Sequence, residues 1–242
     1  MDRLQSFFAD LHKMLADEES VSWRIEQGRE LVSDLASEPG WFFDHLEKMV
    51  REPALFKRER PGVWPNEYTL YRSPDKSFVV LVYVWGARLA DTIHDHGSWG
   101  VVGTLLGTLG ETKYERLDGG TRSGFCELGE TASSILSPGE TTPILPLNQG
   151  LHAMHNLTDG IAASINVYGK SIGRGYTQFF DPAKHTVTRV FPPLLAKEVL
   201  AAEALVSIDP QRAEDVIRQA LGTPRPTPVR KEYEEALRRL RA

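Results

Sequence analysis

The fold of this chain is constrained most by the residue pattern of 63–192, where short apolar runs alternate with turn residues. Glycine, proline and aspartate separate runs rich in β-branched and aromatic side chains, and these runs are Phe78 to Trp85, Trp99 to Leu106, Glu111 to Leu117, Ile161 to Tyr168, Tyr176 to Phe180 and Thr186 to Phe191. Many short strands with closely spaced turns are typical of a sandwich or barrel. The pattern therefore predicts a mainly β structure.

Helical periodicity flanks this region on both sides. In the N-terminal segment, apolar residues recur three and four positions apart, beginning with Leu4, Phe7 and Leu11. The tail has the same spacing, with a boundary at Asp209 and a proline-rich break at 223–228 before a last charged helix. We expect an N-terminal helical segment packed on a barrel, followed by a C-terminal helical cap that is solvated or forms an oligomer contact; the three regions are 1–62, 63–192 and 193–242.

Charge and composition narrow the class of protein. The chain carries 28 basic and 33 acidic residues, and this net charge of −5 argues against nucleic-acid binding. No apolar run approaches the roughly 20 residues of a membrane span, and the N-terminus lacks an apolar signal region, so we expect a cytoplasmic protein with no membrane partner. The single cysteine, Cys126, excludes an internal disulfide and a thiolate zinc cluster. Any metal must therefore rest on histidine and oxygen ligands.

The segment His94-Asp95-His96 has the spacing of a metal site. Residues two apart on a strand point to the same face, so His94 and His96 can converge on one ion, whereas in a helix they would point about 200° apart. Asp95 faces the other way and is a poor ligand. The alternative is two ordinary histidines beside a turn, which is disfavoured because the chain has only seven histidines.

A second segment, Gly150 to Asn156, offers two further candidates, His152 and His155. The first segment resembles the cupin motif with its His-x-His and a closing glycine, Gly107. The second resembles the other cupin motif, in which a histidine follows a glycine turn and an asparagine comes four residues later. This resemblance implies a cupin double-stranded β-helix, or jelly-roll barrel, with His94, His96 and His152 as metal ligands. His155 does not fit the motif, and we place it on the opposite strand face as a pocket-lining or hydrogen-bonded residue.

Many cupins add a glutamate shortly after the His-x-His pair, and this chain does not. Residues 97–106 contain no carboxylate, and the first acid, Glu111, is expected to lie too far along. Three neutral imidazoles do not offset the positive charge of an iron(II) ion, and they leave some of its coordination positions open. Such a site favours an anionic ligand such as a thiolate. Imidazole ligands with open positions also suit iron better than magnesium or calcium, so Fe(2+) is the expected cofactor.

The surrounding sequence resembles the bacterial thiol dioxygenases over about residues 65–175. Phe78 to Gly86, the two histidines and Trp99 to Gly103 look like that family, and Ser164-Ile165-Asn166-Val167-Tyr168 lies where it carries a Ser-x-His-x-Tyr strand. The closest fit is the branch related to 3-mercaptopropionate dioxygenase rather than cysteine dioxygenase. The resemblance implies that a small carboxylated thiol and O₂ give a sulfinic acid. It places Ser164, Asn166 and Tyr168 on one polar strand face at the catalytic site.

The chain departs from the family at two positions. Asn166 replaces the family histidine and cannot shuttle a proton, so either His155 does that work or the chemistry has changed. Leu70 stands where cysteine dioxygenase has a carboxylate-binding arginine. We expect the substrate to be bound by residues elsewhere, among which the candidates are Arg72 on the same strand face as Leu70, Arg174 and Trp99; the two arginines could equally be surface residues.

Two other functions remain open on the sequence. One is a three-histidine cupin oxygenase that acts on a substrate other than a thiol. The other is a non-catalytic cupin that binds a metabolite or a metal as a sensor, because cupins host many functions.

Overall fold

Antiparallel strands form the part of the chain between Glu67 and Val190, as the alternating runs predict. The computed structural model describes residues 3–16, 20–52, 54–55 and 62–241. The helices are α1 Arg3–Met14, α2 Val21–Ser37, α3 Gly40–Arg51, α4 Pro193–Ile208, α5 Pro210–Leu221 and α6 Thr227–Leu240. The strands are β1 Glu67–Arg72, β2 Phe78–Trp85, β3 Ile93–His94, β4 Gly100–Leu106, β5 Leu109–Arg116, β6 Leu128–Leu136, β7 Thr141–Ile144, β8 Leu151–Asn156, β9 Ala162–Gly169, β10 Thr177–Asp181 and β11 Thr186–Val190.

The strands lie in two sheets. One has the order β1-β2-β9-β4-β7 and the other β11-β10-β3-β8-β5-β6. The predicted mainly β architecture with helices at both ends is confirmed. The apolar runs missed β1, β3, β6, β7 and β8. At β1, β3 and β8 strands were expected from the positions of the arginine and histidine candidates, whereas β6 and β7 were not expected at all. In β6 most side chains are exposed and many are small or polar, so this edge strand lacks the apolar alternation that marks the others.

Strand alternation gives the five-stranded sheet two different faces. In β2, Val80 and Val82 face the core formed with the N-terminal helices, whereas Leu81, Tyr83 and Trp85 face the second core between the sheets. Because successive side chains of a strand point to opposite faces, one apolar run can serve both cores.

The N-terminal helices cover the outer face of this sheet. Phe7 and Leu11 of α1 and Val32 of α2 share a core with Val101 and other residues of the sheet. Gly103 allows the close approach of α2, since a Cβ there would lie 2.4 Å from Val32 Cγ1. The predicted boundary at residue 62 adjoins residues 56–61, which lie outside the described residues.

The contacts divide the chain into two units. The first comprises the described residues within Met1–Arg60, Trp64–Ile172 and Gln178–Thr188, and the second those within Pro61–Val63, Gly173–Thr177 and Arg189–Ala242. In the second unit, α4, α5 and α6 share a separate apolar core that includes Ile217 and Val229. Asp209 caps α5 by accepting the Arg212 N–H at 3.0 Å, which is where the sequence predicted a boundary. Among the described residues, no helix has the length and apolar character needed to cross a membrane.

Candidate metal centre

Three histidines from two neighbouring strands meet between the sheets. His94 in β3 is paired in register with His152 in β8, and His96 follows two residues after His94. One ring nitrogen from each lies within 4.8 Å of the others. The Nε2 atoms of His96 and His152 are 2.9 Å apart. Nitrogens bound to a single ion at about 2 Å would have a separation of about 3 Å, so His96 and His152 have the spacing of two ligands of one ion, and the three histidines together could hold a metal ion.

Hydrogen bonds behind two of the rings orient them toward a common point. His94 donates from Nδ1 to the Thr92 carbonyl at 2.8 Å, and His152 donates from Nδ1 to Glu111 Oε1 at 2.7 Å. Each bond leaves Nε2 with its lone pair for a metal. Burial lowers the pKa of His94 to about 4 and lowers that of His152 well below its ordinary value. Both rings are therefore neutral, as metal ligation requires.

Glu111 is the residue that sequence reasoning undervalued. We expected it to lie too far along the chain to be a metal ligand, and it is not part of the histidine cluster. However, β5 lies beside β8, and the buried Glu111 carboxylate binds His152 from behind. Its other oxygen accepts from Thr142 Oγ1 at 2.6 Å and from Ser134 Oγ at 3.4 Å. Alternation in β5 is the signal that could have found it, since Glu111 shares a strand face with the buried Leu109.

The remaining polar residues of the two motifs have structural roles. Asn156 Nδ2 donates to the Gly86 and Gly160 carbonyls at 2.9 and 2.7 Å, and its Oδ1 accepts the Thr158 N–H at 2.8 Å. This asparagine ties the end of β8 to the neighbouring loops. Asp95 points away from the cluster, as predicted, and Oδ1 accepts the Gln178 N–H at 2.8 Å.

Two sequence-based assignments need correction. His155 is on the opposite face of β8 from His152, as expected, but its ring packs over Gly110, where a Cβ would lie 2.3 Å from His155 Cε1. Strand parity therefore keeps it out of the cluster, and it is not placed for proton transfer there. Trp99 is also misassigned as a substrate contact. It is buried in the core beneath the N-terminal helices, on the same side as Val101.

A cavity of about 220 Å³ adjoins His94 and His152. Its walls are largely aromatic and apolar, and four rings line it: Trp64, Tyr83, Trp85 and Tyr168. The ring of Tyr168 stacks on His96, with centroids 5.2 Å apart and planes at 22°. Gly100 makes room for it, since a Cβ there would lie 2.5 Å from Tyr168 Cδ1. The Tyr168 ring therefore contacts His96 and also forms part of the cavity wall.

The predicted polar face of β9 reaches this cavity in part. Asn166 and Tyr168 line it, and Asn166 Nδ2 donates to Tyr168 Oη at 2.9 Å. Asn166 Oδ1 is buried and has no hydrogen-bond partner among the described residues. Ser164 is fully buried and accepts from Trp85 Nε1 at 3.4 Å, so it supports a wall of the cavity. Burial is the main cause that raises the pKa of the Tyr168 hydroxyl.

Asp91 is a further cavity residue that the sequence motifs did not indicate. Its Oδ1 accepts the Met154 N–H at 2.6 Å, and its Oδ2 lies 3.8 Å from His94 Nδ1. Burial raises the pKa of Asp91 to about 8.

The two candidate arginines occupy different units. Arg72 ends β1 and is exposed, and the pairing of Arg72 with Val79 and of Val79 with Tyr168 puts it on the same sheet face as Tyr168. A bulge between Thr69 and Tyr71 turns Leu70 toward the helical core, so the expectation that Leu70 and Arg72 share one face is wrong.

Arg174 lies in the second unit, where its guanidinium carbon is 4.5 Å from the Tyr176 ring centroid. Its Nε also donates to the Tyr176 carbonyl at 2.9 Å.

Comparison with solved structures finds cupin-domain proteins at low similarity. No family model matches the chain. The Cnp3 cupin domain of Schizosaccharomyces pombe is similar with a TM-score of 0.33 and 9% identity, over 43% of this chain and 60% of that one. A cupin-2 domain of Rhodospirillum rubrum is similar with a TM-score of 0.33 and 14% identity, over 43% of this chain and 57% of that one. A structure of DMSP lyases is similar with a TM-score of 0.30 and 23% identity, over 44% of this chain and 48% of that one.

These matches span less than two thirds of the length of each of the three structures, and identities this low concern the fold alone. Two antiparallel sheets with helices at both ends form the predicted mainly β jelly-roll architecture, and three histidines form a group that could hold a metal ion.

Proposed function

We propose that this protein is an iron-dependent dioxygenase that converts a small thiol and O₂ to a sulfinic acid. The observation that carries the proposal is a cluster of three imidazoles without a carboxylate among its described ligands. Such a set leaves the positive charge of a divalent ion uncompensated, which favours binding of an anionic thiolate. Imidazole ligands also suit iron better than the hard cations magnesium and calcium.

The protein residues would position the reactants and exclude water. Iron(II) held by His94, His96 and His152 would supply the redox chemistry that adds both oxygen atoms to the sulfur, RSH + O₂ giving RSO₂H. Glu111 keeps His152 in one tautomer and one orientation. The Tyr168 hydroxyl stays protonated because burial raises its pKa, so it acts at the cavity as a hydrogen-bond donor.

Oxygen uptake by the iron-loaded protein tests this function. A panel of small thiols is supplied, and consumption of O₂ and formation of the sulfinic acid are measured together. We expect one O₂ consumed per sulfinic acid formed, with loss of the reaction in His94→Ala. The matched control is His155→Ala, which removes a histidine from the opposite face of β8 and should keep activity.

Two outcomes would contradict the proposal. Failure of every thiol to support O₂ uptake, while the iron remains bound, would indicate a non-thiol oxygenase or a metabolite-binding cupin. Formation of disulfide in place of sulfinic acid would indicate adventitious thiol oxidation.

A further inference from the structure

The chemistry of the cavity walls bears on which thiol this site would accept. Four aromatic rings line the cavity, and no arginine or lysine is among the lining residues that the structure describes in the first unit. Arg72 is exposed, and its Nη2 lies 3.5 Å from Thr69 Oγ1. In the metal-free protein, a carboxylate entering this cavity would therefore lose its hydration without a cationic side chain in the described walls to replace it.

Asn166 presents an acceptor that the protein leaves unused. Its Oδ1 is buried and has no hydrogen-bond partner among the described residues. The Asn166 side chain is part of the cavity wall. Its amide nitrogen is already engaged with Tyr168 Oη, which fixes the direction of the oxygen. A buried acceptor without a partner is costly, so a ligand with an N–H or O–H donor would complete the site.

Aromatic faces and hydrogen-bond acceptors favour an amine in this cavity. The Asp91 carboxyl forms part of the wall and can accept a hydrogen bond in either protonation state. Glu67 Oε2 accepts from the hydroxyl of the cavity residue Tyr83 at 3.0 Å. Aromatic faces attract cations through their quadrupoles, and tryptophan does so most strongly. An ammonium group would therefore meet favourable partners here, and a carboxylate would not.

We infer, on the basis of the proposed function, that the substrate is a small aminothiol that carries no carboxylate. Its amine donates to Asn166 Oδ1 within the aromatic walls, while its sulfur points toward the three histidines. Asn166 is thus a specificity-determining residue, and the carboxylated thiol expected from the sequence is replaced by an amine-bearing one.

Binding of non-thiol analogues to the metal-free protein tests the ligand class without reference to activity. Propylamine and propionate have the same chain length and opposite charge, and both are titrated by tryptophan fluorescence, since Trp64 and Trp85 line the cavity. We expect propylamine to bind at least about tenfold more tightly, in line with a charge-assisted hydrogen bond. Equal binding, or tighter binding of propionate, would overturn the inference.

Substitutions at Asn166 assign the contact. Asn166→Leu removes the acceptor and should weaken propylamine binding about tenfold, whereas Asn166→Asp retains an acceptor and should preserve it. Asn148→Leu, at an exposed asparagine, is the matched control and should have no effect. If Asn166→Leu does not fold, retained binding in Asn166→Asp still supports the contact, and lost binding there refutes it.

Turnover of thiols by the iron-loaded protein separates this inference from the proposed function. We expect 2-aminoethanethiol to give a higher kcat/KM than 3-mercaptopropionate, with 2-mercaptoethanol between them. A preference for 3-mercaptopropionate that disappears in Arg72→Ala or Arg174→Ala would refute the aminothiol and leave the dioxygenase in place. Selective amine binding without oxidation of any thiol would refute the dioxygenase and leave the ligand class in place.

Discussion

Replacement of Glu111 by glutamine tests how the protein holds its metal. The carboxylate is 1% exposed and accepts from His152 Nδ1 at 2.7 Å, so the change removes one negative charge from a buried hydrogen bond while conserving its shape. An amide oxygen can still accept the Nδ1 proton, and the Thr142 hydroxyl can rotate to accept from the new amide nitrogen. The geometry is retained and the charge is lost.

The expected cost follows from the strength of that bond. A hydrogen bond to a charged group contributes about 1.5–3 kcal/mol and a neutral one about 0.5–1.5 kcal/mol, so the difference is about 1.4 kcal/mol, or roughly tenfold in metal affinity. Groups that hold a metal ligand from behind typically change affinity by about 10–100-fold, which brackets this value. Burial raises the pKa of Glu111, so a neutral side chain should not destabilise the metal-free protein.

Competition with a chelator of known affinity measures the Fe(2+) dissociation constant, and thermal unfolding of the metal-free protein measures stability. Glu115→Gln, at an exposed position of the same strand, is the control and should leave both unchanged. Unchanged metal affinity in Glu111→Gln would show that the carboxylate has no influence on the ligand. A loss of stability equal to the loss of affinity would show that its role is in folding.

Three further predictions concern single side chains. His152→Ala should lose bound metal and His155→Ala should retain it, as measured by elemental analysis; the reverse would exchange their roles. Asn156→Ala should lower the free energy of unfolding by about 3 kcal/mol in urea titration, because it removes three hydrogen bonds to backbone groups, each worth about 1 kcal/mol. Tyr168→Phe should lower kcat more than it raises KM, since its hydroxyl matters most once the reaction begins, and equal constants for the two proteins would place that hydroxyl outside the reaction.

Periodicity was sufficient to predict most of the elements. The run from Phe78 to Trp85 coincides with β2, because a strand that serves two cores is apolar throughout and ends at turn residues. The same reasoning missed β6, whose exposed residues carry little apolar signal. The two-residue spacing of His94 and His96 likewise predicted that both face one way, since alternation is a local property of a strand.

Contacts between distant segments decided the rest of the site. Glu111 reaches His152 only because β5 pairs with β8, and Asp91 reaches the cavity through its bond to the Met154 N–H. A bulge in β1 turned Leu70 away from the face that spacing assigned to it.

The sequence by itself predicted the mainly β architecture from strand alternation. It predicted the three clustered histidines from the spacing of His94 and His96 and from the resemblance to the cupin motifs. Only the tertiary structure decided what surrounds the metal ligands. The orientation of His152, the unpaired oxygen of Asn166 and the aromatic walls of the cavity all depend on which strands become neighbours. Strand pairing joins residues far apart in the chain, and no local pattern specifies which side chains will meet across it.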